Sequence, residues 1–210
     1  MAKKTQLIKQ QLSQISLPDP ESHKGENGKL LIIGGSRLFH AASKWSLDVA
    51  SKFVDMVFYA SIPENNQLIK QAKKNFWNGI VVPRSELENY LQEADCILIG
   101  PGMERQPEKP LASQKNKNNQ INYTQPTHEE WQHDTQKVTN FLVSHYSHKK
   151  WVIDAGALQM IDPRLLNSNC IITPHEKELK KLLIKLQRDS KKRDLKQISS
   201  LLNQALIVLK

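Results

Sequence analysis

The stretch Gly28–Ser36, which reads GKLLIIGGS, decides the fold class of this 210-residue chain. Lys29–Ile33 is a nearly continuous apolar run, which is typical of a strand that is covered on both faces. Gly34-Gly35 stops the run, and residues with helical spacing follow it. A strand, a tight turn and a helix in succession form the repeating unit of an α/β protein.

Apolar runs of the same kind recur along the chain and predict further strands. They are Met56–Ile62, Ile80–Val82, Cys96–Ile99, Trp151–Ile153, Cys170–Thr173 and Leu206–Leu209. Strands of this type separated by helices predict a mostly parallel sheet with helices on both faces. Because right-handed crossovers bring the carboxyl ends of the strands to one edge, we expect the residues that follow them to converge there.

Two helical patterns stand out between and after the predicted strands. The spacing over Ala41–Val54 predicts a helix that carries Ala42, Trp45, Val49, Ala50 and Phe53. A longer amphipathic region near the end places Leu179, Leu182, Leu183 and Leu186 on one face. A second apolar face follows, formed by Leu195, Ile198, Leu201 and Leu202.

The formal net charge of +9 raises the question of a nucleic-acid partner. Lysines and arginines between Lys177 and Lys196 contribute strongly, but no aromatic side chain lies among them for base stacking. We favour a solvent-facing helix over a phosphate-binding patch, and no nucleic-acid partner is predicted. Cys96 and Cys170 each open an apolar run without a partner at metal-ligand spacing, which predicts buried free thiols and no metal site.

The chain organisation suggests one main domain with two polar segments. Residues 1–22 are predicted to form an amino-terminal helical extension, without the apolar core of a signal peptide. Residues 23–210 form the predicted domain, with a polar, disordered insertion near 104–134. No apolar run is long enough to cross a bilayer, so we expect a cytoplasmic protein without a membrane partner.

Glycine turns follow two of the predicted strands. Gly34-Gly35-Ser36 precedes a helix, so its amides could face an anion, although such a sequence is often only a tight turn. Gly100-Pro101-Gly102 could let the backbone approach a ligand closely, and it could equally be a plain turn.

Polar residues follow two other strands. Asp154 could act as a base, a metal ligand or a polar anchor, or it could cap the next helix. Thr173-Pro174-His175 delivers a histidine to the strand edge, while Thr173 with Glu176 could be only a capping box.

The order of these segments resembles the ADP- or ATP-dependent NAD(P)H-hydrate dehydratase family, which has a ribokinase-like fold. The resemblance covers nearly all of the chain from His23 to Lys210 apart from the polar insertion. The matching segments are His23-Lys24-Gly25 with Gly28–Ser36, Gly100-Pro101-Gly102, Asp154-Ala155-Gly156-Ala157-Leu158, and Thr173-Pro174-His175 with Glu178.

The resemblance implies a hydro-lyase that repairs nicotinamide cofactors. Such an enzyme removes water from hydrated NADH or NADPH while ADP or ATP is consumed. The resemblance also implies Mg²⁺ as the expected ion and a homo-oligomer as a possible assembly. The implied substrate-binding residues are Gly34, Gly35, Ser36, Ala42, Gly100, Gly102, Asp154, His175 and Glu178. Lys210 is the implied first nucleotide-binding residue.

The chain also departs from the family pattern. Phe39-His40-Ala41-Ala42 stands where the family usually has a tyrosine and a Gly-Ala pair. The catalytic aspartate of the family belongs to a Gly-Thr-Gly-Asp motif that we expect beyond Lys210, so no catalytic residue is assigned and the carboxyl-terminal part of the fold is expected to be missing. A small-molecule kinase and a non-catalytic cofactor-binding remnant are the alternatives.

Overall fold

The computed structural model describes residues 18–75, 78–107, 122–186 and 195–210, together with Gln6, Gln10 and Ser13. Its described residues form one parallel sheet in the order β3-β2-β1-β4-β5-β6-β7. The strands are β1 (Lys29–Ile33), β2 (Met56–Ala60), β3 (Gly79–Val81), β4 (Cys96–Ile99), β5 (Lys150–Ile153), β6 (Cys170–Ile172) and β7 (Leu206–Ile207). The predicted parallel α/β fold is therefore confirmed.

Helices connect the strands, as parallel pairing requires. The α-helices are α1 (Ala41–Ala50), α2 (Pro63–Gln71), α3 (Leu87–Glu93), α4 (Glu130–His133), α5 (Thr135–His145), α6 (Ala155–Met160), α7 (Glu176–Lys185) and α8 (Leu195–Leu201). Short 3₁₀ turns occur at Ala72–Asn75, Arg84–Glu86 and Pro163–Leu165. Among the described residues, no helix is long and apolar enough to cross a bilayer.

Both faces of the sheet are covered, which explains why its strands lack polar alternation. On β1, Leu31 and Ile33 face a large apolar cluster that includes residues of α3, α5, α6 and α7. Ile32 faces the opposite cluster with Leu47 of α1 and residues of β2 and α2. The three β1 side chains are at most 5% exposed.

The strand order reverses direction between β1 and β4. Successive strands add on one side from β1 to β3, and on the other side from β4 to β7. In register, Ile33 pairs with Ile99, so the turns that follow β1 and β4 leave the sheet side by side. This topological switch point is where open parallel sheets bind ligands.

The apolar pattern predicted for α1 is wrong about its buried face. The helix ends at Ala50, and its buried residues are Ser43, Leu47 and Ala50. Trp45 and Phe53 are 67% and 78% exposed. Ser43 faces inward, where its hydroxyl lies 2.9 Å from the Tyr59 hydroxyl, and the larger side chains lie on the solvent side.

The later helices agree better with the sequence pattern. Leu179, Leu182 and Leu183 of α7 are buried, while Lys180 and Lys181 point to solvent. Cys170 is buried and Cys96 partly buried, and both are free thiols whose pKa values burial raises.

The end of the predicted polar insertion packs on the rest of the domain. The Tyr123 hydroxyl donates a hydrogen bond of 2.5 Å to the buried Asp162 carboxylate, and Trp131 packs edge-on against Phe141. Residues 108–121 of the insertion, and most of the predicted helical extension 1–22, lie outside the described residues.

Candidate active site

Two glycine turns interlock at the switch point between β1 and β4. The Gly35 amide donates to the Pro101 carbonyl at 2.7 Å. A Cβ on Gly34 would lie 2.4 Å from that same oxygen, and a Cβ on Gly102 would lie 2.7 Å from the Phe39 carbonyl oxygen. These glycines are required first of all because the two turns touch each other.

Gly100 couples this pair of turns to the end of β5. Its φ of +118° lies in the region that favours glycine, and a Cβ there would lie 1.8 Å from the Asp154 carbonyl oxygen. The next residue after Asp154, Ala155, has a φ of +45°, which is strained for a residue with a side chain. The backbone is therefore fixed tightly across three adjacent strand ends.

Two cavities flank the glycine turns. Cavity A, of about 480 Å³, lies against Gly34, Gly35 and Ser36 and is also lined by Arg84 and Trp131. Cavity B, of about 1110 Å³, is lined by residues that include His40, Ala42, Tyr59, Asn65, Gly102 and Gly156. Met103 and Glu104 line both cavities, so the two spaces share a wall.

A cation lies over an aromatic ring in the wall of cavity A. The Arg84 guanidinium stacks on the ring of Trp131. Burial lowers the pKa of Arg84 to about 9, and Glu88 only partly opposes this shift. Trp131 belongs to the segment predicted as a disordered insertion, so its contribution to a cavity could not be expected from its composition.

A polar network forms one wall of cavity B. The Ser43 and Tyr59 hydroxyls are 2.9 Å apart, and burial raises the pKa of Tyr59. Asn65, only 1% exposed, donates to the Ser36 carbonyl at 3.2 Å and contacts His40 Nδ1. No sequence pattern indicated these residues, because their contacts join α1, α2 and β2 across long separations in the chain.

A second polar cluster lies at the ends of β5, β6 and β7. The Asp154 carboxylate accepts a hydrogen bond from the Thr173 hydroxyl at 2.7 Å and forms an ion pair with Lys210 Nζ. Burial alone would raise the pKa of Asp154, but the hydrogen bonds from Lys210 and Thr173 outweigh burial and lower it. The carboxylate is thus held ionised.

His175 and Glu178 bind each other at the start of α7. Glu178 N donates to His175 Nδ1 at 3.3 Å, and His175 N donates to Glu178 Oε2 at 3.0 Å. This is a capping box two residues later than the Thr173 and Glu176 pair that the sequence suggested. Gln159 also donates to Glu178, at 2.5 Å.

The structure therefore divides the predicted site residues into three groups. Gly34, Gly35 and Ser36 line cavity A, while Ala42 and Gly102 line cavity B. Gly100, Asp154 and Lys210 lie beside these turns at the same sheet edge. His175 and Glu178 line neither cavity, and their predicted role in substrate binding stays a prediction.

Metal ligands are sparse in the part of the chain that the structure describes. It contains no group of three or more histidine, cysteine, aspartate or glutamate side chains that could hold a metal ion. A Mg²⁺ ion that is carried mainly by phosphate oxygens and water needs few protein ligands, so this finding is compatible with a metal–nucleotide substrate.

The described residues have a ribokinase-like α/β fold. A ribokinase-like superfamily protein from Enterococcus faecalis superposes with a TM-score of 0.66 at 19% identity, over 93% of this chain and 62% of that chain. An ADP/ATP-dependent NAD(P)H-hydrate dehydratase from Bacillus subtilis, co-crystallised with ATP and Mg²⁺, gives a TM-score of 0.54 at 20% identity, with the same coverage of both chains.

Sequence comparison finds similarity to proteins that act on hydrated nicotinamide cofactors. The family described as NAD(P)H-hydrate dehydratase matches residues 127–210. The bifunctional NAD(P)H-hydrate repair enzyme Nnr of Methanocaldococcus jannaschii is 28% identical over 175 residues, which is 80% of this chain and 30% of that enzyme. The predicted resemblance to the NAD(P)H-hydrate dehydratase family is confirmed, and the chain spans less than two thirds of these relatives.

Proposed function

We propose that the protein containing this chain dehydrates hydrated NADH or NADPH and consumes ADP or ATP in doing so. The observation that carries the proposal is the convergence of the family-like turns at one switch point. Gly34–Ser36, Gly100–Gly102 and the Asp154 segment contact one another there, beside two cavities.

Cavity B is the proposed site of the hydrated nicotinamide ring. Its volume of about 1110 Å³ slightly exceeds the usual range for small-molecule sites, about 300–1,000 Å³, so a dinucleotide-sized ligand has enough room. Gly102 and Gly156 line this cavity, and because the Phe39 and Met103 carbonyl oxygens pack closely against them, they fix the backbone of its wall. Trp45 and Phe39 add apolar surface at the same cavity.

Lys210 is the proposed first contact with the nucleotide. Its ammonium group lies at the sheet edge in an ion pair with Asp154. An arriving phosphate could share this cation, because Lys210 has three donors and Asp154 uses one of them. Mg²⁺ would then accompany the phosphates and supply charge neutralisation.

The chemistry that such a site serves is an elimination. Phosphorylation of the ring hydroxyl turns a poor leaving group into a good one, and loss of phosphate restores the double bond of the ring. The described residues hold and orient the ring in cavity B, while the catalytic aspartate of the family is not assigned to any of them.

The test is an assay of NADH recovery. Purified protein with hydrated NADH and either ATP or ADP should restore NADH absorbance, and Lys210→Met should lower the rate. A phosphorylated product that accumulates without elimination would instead support a small-molecule kinase. Binding of hydrated NADH without any turnover would support the non-catalytic alternative.

Three further expectations stay proposals alongside this function. They are the division into residues 1–22 and 23–210, the cytoplasmic location, and a homo-oligomeric assembly. Size-exclusion chromatography with light scattering tests the last of these directly.

A further inference from the structure

The amide of Asn65 can have only one orientation. Its Nδ2 group donates to the Ser36 carbonyl at 3.2 Å and to the Ser61 hydroxyl at 3.0 Å. A carbonyl oxygen can only accept, so the nitrogen of the amide must be the atom that faces Ser36. Asn65 is 1% exposed, which leaves its oxygen directed toward His40 rather than toward water.

This orientation fixes the tautomer of His40. The Asn65 oxygen contacts His40 Nδ1, and an amide oxygen has no proton to donate. The proton of that hydrogen bond must therefore be on Nδ1. In the neutral imidazole the other nitrogen, Nε2, then carries a lone pair and no proton.

His40 also stands where a ligand can reach it. The residue is exposed, and it lines cavity B together with Ala42 and Gly102. Its carbonyl accepts hydrogen bonds from the Ser43 hydroxyl and the Lys44 amide, which fix the backbone at the start of α1. Within the described residues, no hydrogen bond occupies Nε2.

We infer that His40 is the proton acceptor of cavity B and that Asn65 is its positioning residue. The inference rests on the proposed function, because it concerns the ring that is dehydrated there. His40 Nε2 takes a proton from the ring carbon next to the carbon that carries the phosphorylated hydroxyl group. The C–H electron pair forms the ring double bond, and the C–O bond breaks with its electrons leaving on phosphate.

The tautomer is tested without any substrate. Nitrogen-15 NMR of the histidine-labelled chain, with His40→Gln to assign the signal, should show Nδ1 protonated and Nε2 unprotonated in the neutral ring. Asn65→Ala should shift the population toward the Nε2–H form. A predominant Nε2–H tautomer in the unsubstituted chain would overturn the inference.

The catalytic consequence is tested by kinetics and by ligand titration. His40→Gln should lower kcat for NADH recovery by roughly 100-fold or more with little change in KM, because glutamine cannot take the proton. Asn65→Ala should lower kcat less. His148→Gln, at an exposed residue outside both cavities, is the matched control and should leave the rate unchanged.

Adding hydrated NADH to the labelled chain should change the nitrogen-15 chemical shift of His40 Nε2 and leave the chemical shifts of His148 unchanged. If this shift occurs without turnover, the proposed dehydration fails while the placement of His40 stands. If the unsubstituted protein is active and His40→Gln keeps its kcat, the proposed function stands and His40 is not the proton acceptor.

Discussion

The carboxyl-terminal edge of the sheet, where the turns after the strands lie, is held together by different interactions at its two ends. At β1 and β4, backbone packs directly on backbone, and Gly34, Gly100 and Gly102 leave no room for a Cβ. At β5 to β7, side chains make the contacts, with Asp154 held by Thr173 and Lys210. Steric fit shapes the first end, and hydrogen bonds and charge shape the second.

This difference predicts how each end responds to change. A close-packed backbone has no way to relax, so an added methyl group is costly there. An exposed ion pair or cap loses a limited and solvent-screened energy when it is removed. Substitutions at the glycine turns should therefore destabilise the fold more than substitutions around Asp154 and His175.

The largest effect is expected for Gly100→Ala. The new Cβ would lie 1.8 Å from the Asp154 carbonyl oxygen, and the φ of +118° is strained for alanine. We expect a loss of about 3 kcal/mol or more in the free energy of unfolding, measured by denaturant titration. Gly25→Ala is the matched control, because Gly25 has a φ of +96° but a Cβ there would meet only the flexible Lys29 and Met56 side chains. A similar loss in both variants would mean that φ strain, and not steric overlap, dominates.

A smaller effect is expected for Glu178→Ala. The buried carboxylate accepts from Gln159 and from the His175 amide, and its removal leaves both donors without that partner. We expect a loss of about 2 kcal/mol by thermal or chemical unfolding. Glu176→Ala, at an exposed position of the same first turn, should change stability by less than about 0.5 kcal/mol. Equal effects would show that helix-end charge matters more than the capping box.

His175→Ala should cost about 1 kcal/mol, because it removes the side-chain acceptor that caps α7. The substrate-binding role that the family resemblance implies for His175 predicts instead weaker cofactor binding with an almost unchanged melting temperature. Isothermal titration with hydrated NADH, together with a melting curve, separates the two roles. Intact binding with lowered stability would make His175 only a cap, whereas weakened binding would add a ligand contact to it.

The smallest effect concerns the charge of Asp154. Its folded-state pKa lies below the unfolded value of about 3.9, so its contribution is present above that pH and is lost as the pH falls through the folded-state pKa. Asp154→Asn should remove this acid-dependent component, which amounts to about 1 kcal/mol or less. Denaturant titrations between neutral pH and pH 3 measure the difference, and Lys210→Gln should reproduce most of it. An unchanged pH dependence in both variants would show that the ion pair adds nothing to stability.

The pattern of apolar residues in the sequence was sufficient to predict the parallel sheet. Continuous apolar runs at β1, β4 and β6 predicted parallel strands covered on both faces, because burial on two sides removes polar alternation. The residues after the strands then indicated one ligand-binding edge, because the carboxyl ends of parallel strands lie at the same edge of the sheet. Order of motifs, rather than any single residue, indicated the family.

Tertiary structure alone decided which side chains face that edge. Trp45 and Phe53 share the apolar helical pattern, but Ser43 takes the inner face of α1, where its hydroxyl has the Tyr59 hydroxyl and the His40 carbonyl as hydrogen-bonding partners. The tautomer of His40 likewise depends on Asn65, which lies 25 positions away in the chain. Periodicity is a local property of the chain, whereas hydrogen bonding between distant segments is set only when the strands and helices have packed.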